Sequence, residues 1–279
     1  EPMRRTRIIL DDNESGITCD LTFSARTASI QEARQTLWQG TRRAMDATRF
    51  DQFGRWSGVV NHPDGQIRVD ESVCLGTKDR SWGVRWVGER ETGGAPVIPD
   101  GICFVWAPLI WDDHISHAIF FDGPKGEPLV REGLEAPLYQ TEAEIPGVED
   151  GLVERKLTAR HRIEYHPGTR LAKAAEIDLV NLDDGVRRIK LEPKLKFMMK
   201  GLGYGHPEWK QGAWKGELAT GHESFDPRQL DHQAPENIHT QQIVTATDGE
   251  RQGVGVLEQI VVGPYEPAGF KGFFDGYSE

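Results

Sequence analysis

Apolar and polar residues alternate with a period of two through most of this chain, the pattern of half-buried strands rather than of helices. Arg5–Leu10, Gly16–Ser24, Phe50–Val60, Gln66–Gly76, Gly101–Ile110 and His114–Phe121 carry it in the first half. Leu152–Tyr165, Arg170–Leu182, Val186–Met198, Gly212–Thr220, His239–Thr247 and Gly253–Val262 carry it in the second. Asp64-Gly65, Asp184-Gly185 and Asp248-Gly249 sit between such segments, where a hairpin needs residues that tolerate left-handed backbone. One helix is expected, over Ser29–Gly40, where Leu37 and Trp38 follow a polar stretch without breakers. The fold class is therefore all-β: two lipocalin-like antiparallel barrels or sandwiches packed together. A Pro- and Gly-rich acidic stretch over Gly123–Gly151 reads as the linker. It divides the chain into an N-terminal β-domain over 1–130 and a C-terminal β-domain over 131–279.

Composition excludes several classes of partner. The 279 residues hold 44 acidic and 33 basic side chains, and a net charge of -11 repels nucleic acid and anionic membrane surfaces. No apolar run approaches a membrane span. Cys19, Cys74 and Cys103 form no CxxC pair or zinc-type spacing, so they read as reduced, mostly buried thiols of a cytoplasmic protein. GxGxxG after a strand, GxxxxGK[ST], GxSxG and HExxH are all missing, so no nucleotide, cofactor or metal is expected.

Two glycine-punctuated clusters concentrate reactive side chains. DRSWGVR, from Asp79 to Arg85, sets a carboxylate beside Arg80, Trp82 and Arg85 at the expected end of the strand Gln66–Gly76. Burial raises a carboxyl pKa and a guanidinium lowers it, so Asp79 reads equally as acid, base or permanent anion. The plain alternative is an Asp–Arg bridge that locks a barrel corner. GYGHPEWKQGAWKG, from Gly203 to Gly216, brings Tyr204, His206 and Trp209 into one turn, suited to acid–base work or simply to turning the chain. A third segment, from Trp111 to His117, holds Asp113 and two histidines, His114 and His117, three apart. On a strand that spacing points them to opposite faces, which favours Asp113 or His114 as polar pocket groups over a metal site.

DRSWGVR and GYGHPEWKQGAWKG, with the closing GVGVLEQIVVGPYEP, resemble bacterial proteins related to the hydroxyneurosporene synthase (carotenoid 1,2-hydratase) and AttH-like superfamily, over most of 47–265. The resemblance implies paired lipocalin-like barrels with a ligand cavity near their interface, and chemistry on polyenes or polyketides without metal or nucleotide. It also implies a segment ahead of Glu1 to complete the first barrel. Arg80 stands where the family often has histidine before the Trp-Gly. The expected activity is a cofactor-independent hydratase, lyase or isomerase acting by acid–base chemistry on a hydrophobic terpenoid, polyketide or aromatic molecule. Asp79 is the expected proton-transfer group, Arg85 or Arg80 its partner or a ligand for a substrate oxygen, and Tyr204 or His206 the opposing acid or base. Trp82, Trp106 and Trp209 are expected to wall the cavity. The competing expectation is a lipocalin-like carrier that does no chemistry; a homodimer is compatible with either.

Overall fold

The structure is a computed structural model and describes residues 1–39, 41–84, 101–147, 150, 154–181, 185–200 and 206–278. It is all-β, with two antiparallel sheets. The first contains β1 (Arg5–Leu10), β2 (Thr18–Ala25), β3 (Ile30–Gln31), β4 (Gln35–Gln39), β5 (Arg42–His62), β6 (Gly65–Val69) and β7 (Leu75–Val84). β5, 21 residues long, is the spine of this sheet. One of its edges takes β4, β3 and β2 in succession, and the other takes β7 and β6.

The second sheet closes on itself. It runs through β8 (Ile102–Ile110), β9 (His114–Asp122), β10 (Pro128–Pro137), β11 (Arg155–Tyr165), β12 (Ala172–Asn181), β13 (Gly185–Met198), β14 (His239–Asp248) and β15 (Arg251–Val262), and β15 pairs back onto β8. Every neighbour is antiparallel, so this is an eight-stranded up-and-down barrel of lipocalin type. At the seam a Cβ on Gly255 would lie 2.1 Å from the Pro108 carbonyl oxygen, so only glycine fits.

Alternation decides what each barrel strand shows to each side. Val105, Ala107 and Leu109 of β8 and Ala118 and Phe120 of β9 point into the barrel, with Ile177, Ile189 and Leu257 opposite. Ile110, Ile115, Leu134 and Ala136 point outward and meet Ile30 and Phe53 of the first sheet in a separate apolar layer. The outer wall of β8, β9 and β10 is therefore the floor on which the first sheet rests.

Several expectations are corrected. The segment expected as a helix, Ser29–Gly40, holds β3 and β4, both claimed by β5. The expected linker contains β10. Gly212–Thr220 forms turns and exposed coil, and Gln66–Gly76 is two strands separated by a turn. The division at 130/131 falls inside β10, while the change of sheet lies between Val84 and Ile102. No helix among the described residues is long and apolar enough to cross a membrane.

Candidate functional site

Where the two sheets meet, the apolar layer is interrupted by three ionisable side chains. Asp51 lies in mid-β5, opposite Ile30 on one side and Asp79 of β7 on the other. Glu32 follows β3 immediately, and His117 is on the outer face of β9, with Pro108 and Leu134 as its register partners. Their fractional exposures are 0% for Asp51 and 2% for both Glu32 and His117. Trp106 Nε1 donates to Glu32 Oε1 at 3.2 Å. His117 Nε2 lies 3.7 Å from Glu32 Oε1 and 4.0 Å from Asp51 Oδ2. The imidazole is held edge-on by Trp106 at 5.5 Å and by Phe53 at 6.4 Å between ring centres.

Burial sets the protonation states. Desolvation, and then the neighbouring Glu32 carboxyl, push Asp51 up to about 10. Desolvation also raises Glu32. The pair cannot hold two charges so far from water, and it shares a proton at neutral pH. Burial, aided by the charges of Lys156 and Arg49, pushes His117 down to about 3, so its imidazole is neutral. Neither Asp51 oxygen nor His117 Nε2 has a hydrogen-bond partner among the described residues. The shared proton supplies the donor that Asp51 lacks.

One charged route leads outward from this enclosure. Arg49 Nη1 lies 3.5 Å from Glu32 Oε2, and Arg49 Nε lies 3.4 Å from Asp79 Oδ1. Side-chain exposure rises along the row from 1% at Glu32 through 17% at Arg49 to 44% at Asp79. Ligand atoms of Glu32, Asp51 and His117 all lie within 4.8 Å of one another, so the set can hold a small cation. Trp106 and Arg49 already engage both Glu32 oxygens, which makes a shared proton the simpler means of neutralising the pair.

Of the residues expected from sequence, Asp79 and Trp106 lie at this junction. Asp79, Arg80 and Trp82 are inside β7 and not in a turn. Period two sends Asp79 toward Arg49 and puts Trp82 on the opposite face, against Phe50 at 6.0 Å. Arg80 shares the face of Trp82. Asp113 and His114 are at the turn into β9, bonded to each other at 2.6 Å, with the His114 ring stacked on Trp111. Arg187 Nη1 approaches His114 Nε2 at 3.3 Å, so that imidazole belongs to the barrel end.

His206 braces its own turn. Its Nδ1 accepts from the backbone N–H groups of Glu208 and Trp209, and Nε2 meets Glu223 at 3.3 Å. Trp209 is half-buried beneath Lys215. Tyr204 and Arg85 lie outside the described residues. Sequence reasoning missed Glu32, Arg49 and Asp51 altogether, and set His117 aside with the metal reading. The available signal was a charged or imidazole side chain at an interior position of an apolar strand, as in Phe50–Phe53 and Ile115–Phe121.

A pocket of about 560 Å³ opens elsewhere, inside the barrel, among β11, β12, β13 and the turn after β15.

The fold is similar to that of an AttH from Nitrosomonas europaea, with a TM-score of 0.52 at 15% identity over 93% of this chain and 66% of that one. Structures of CghA, with Sch210972 and alone, superpose with TM-scores of 0.48 and 0.46 at 11% identity. Each of these alignments covers 92% of this chain and 64% of CghA. At such identities the likeness is one of fold, and the chain spans somewhat less than two thirds of those proteins. No curated protein matches the sequence. The profile of the family of unknown function DUF8625 matches residues 1–271, and the chain belongs to that family.

Proposed function

We propose that the chain is an enzyme of the hydratase, lyase or isomerase type, working by acid–base chemistry on a hydrophobic small molecule at the junction between the sheets. The observation that carries this reading is a neutral carboxyl and a neutral imidazole held in one apolar enclosure, 4.0 Å apart. Asp51 donates its proton to an electron-rich carbon of the substrate, and the electron pair of that double bond forms the new C–H bond. The adjacent carbon becomes electron-poor, facing the π systems of Trp106 and Phe53. His117 then takes a proton, either from an adjacent carbon, which gives an isomer, or from an attacking water, which gives an alcohol. Lyase chemistry is the reverse of the latter. Asp79 and Arg49 link the pair to solvent and serve its reprotonation.

The test begins with lipophilic extracts incubated with the protein, with bound and consumed compounds identified by mass spectrometry. For a substrate found in this way, Asp51→Asn and His117→Phe are each expected to lower turnover about a hundredfold or more. Undiminished turnover by Asp51→Asn would overturn the assignment. A carrier is the second reading, favoured by Asp79 being tied to Arg49. It predicts bound material recovered unchanged and no difference between the parent and Asp51→Asn.

A further inference from the structure

The barrel interior holds a polar group that the junction does not use. Asp122, on the inner face of β9 and 1% exposed, accepts from His161 Nε2 at 2.9 Å and from Tyr265 Oη at 3.3 Å, with Arg131 also at 3.3 Å. In the neutral tautomer whose Nε2 donates to Asp122, His161 Nδ1 carries a lone pair. That atom is buried and has no partner among the described residues.

His161 lines the 560 Å³ pocket together with Ile163, Tyr165, Ala175, Leu191 and Tyr265. A pocket of this volume is in the ordinary range for a small ligand. Its inner lining is apolar or aromatic, and Phe120 and Phe270 back His161 and Tyr165 at 4.6 and 5.1 Å. The charged residues on its rim are balanced. Arg162 pairs with Glu176 at 2.8 Å, and Glu164 and Lys190 complete two residues of each sign. A net-charged ligand finds no counter-charge there.

We propose that this pocket is a second small-molecule site, separate from the junction, that binds a neutral, mainly aromatic molecule through a hydroxyl donating to His161 Nδ1. The inference does not depend on the chemistry assigned to Asp51.

The probes are 1-naphthol, naphthalene and 1-naphthoate, titrated into the purified chain by calorimetry. 1-Naphthol is expected to bind about tenfold more tightly than naphthalene, the worth of one hydrogen bond to a buried acceptor. 1-Naphthoate is expected to bind no better than naphthalene. Ile163→Trp or Ala175→Phe fills the pocket and is expected to abolish binding, with folding checked by near-ultraviolet circular dichroism. His161→Phe is expected to erase the preference for the alcohol. Asp51→Asn is expected to bind like the parent, which separates this site from the junction. Should the filling variants fail to fold, the parent chain labelled with ¹⁵N-histidine decides: one imidazole Nδ1 resonance shifts on adding 1-naphthol. No such shift, binding that survives both filling variants, equal affinity for 1-naphthoate, or loss of binding in Asp51→Asn would each overturn the proposal.

Discussion

The buried carboxyl pair should leave a signature in the pH dependence of stability. Asp51 titrates near 3.8 in an unfolded chain and is pushed up to about 10 in the native one. Between these limits the native state holds one more proton, so stability is full below the lower value and falls as pH rises, by about 1.4 kcal/mol per unit. His117 works the other way. Its ordinary value of 6.5 is pushed down to about 3, so across that range stability rises with pH by the same amount per unit. The two slopes cancel between about pH 3.8 and pH 6.5, and above that range Asp51 alone of the two remains, with Glu32, also raised, able only to steepen the fall. From pH 7 to pH 9 the parent should lose about 3 kcal/mol through Asp51. Asp51→Asn keeps the shape, lets an amide N–H donate to Glu32, and removes this linkage. Urea unfolding followed by tryptophan fluorescence should show its slope shallower by about one proton, with the gap to the parent widening by about 3 kcal/mol over those two units. Identical slopes for parent and variant between pH 7 and pH 9 would refute the shared-proton description.

Two further outcomes test other parts of the fold. Cys103 is fully buried, and desolvation pushes its thiol up to about 12, whereas Cys19 and Cys74 are half-buried. Ellman's reagent at pH 8 should therefore modify Cys19 and Cys74 in the native chain and reach Cys103 only after denaturation, and rapid labelling of all three would contradict the packing. Gly255→Ala should cost about 2–3 kcal/mol in urea unfolding, because its Cβ meets the Pro108 carbonyl across the barrel seam at 2.1 Å. A cost below about 0.5 kcal/mol would show that the seam yields more easily than close packing allows.

The strands and hairpins of both sheets were legible because their information is local. Arg5–Leu10 matches β1 residue for residue, and the hairpins at Asp64-Gly65 and Asp248-Gly249 join the strands that flank them. Local signals misled where a distant neighbour decides the outcome. Gly133 makes 123–151 look like a linker, yet it marks close packing within β10, since a Cβ there would meet Leu179 at 2.9 Å. Leu37 and Trp38 lack helix breakers, but β5 offers an unpaired edge and takes them as a strand, with a bulge between the two. The candidate site was hidden for the same reason. Asp51 and His117 are polar residues flanked by Phe50 and Phe53 in β5 and by Ile115 and Ala118 in β9, and their convergence exists only once one sheet lies on the other. Asp79 and Trp106 were found because each sits in a dense motif or an obvious strand. The partners that give them meaning come from β3, β5 and β9.

The closure of β15 onto β8 makes the junction dependent on chain that never touches it. Trp106 is held at the junction from one side by β9 and from the other by β15, where Glu258 is its register partner. A chain ending before β15 would keep every ionisable group around Asp51 and lose the strand that orients their indole. Nonsense and frameshift lesions late in the gene are therefore expected to act as lesions of the site, although the residues they remove lie outside it.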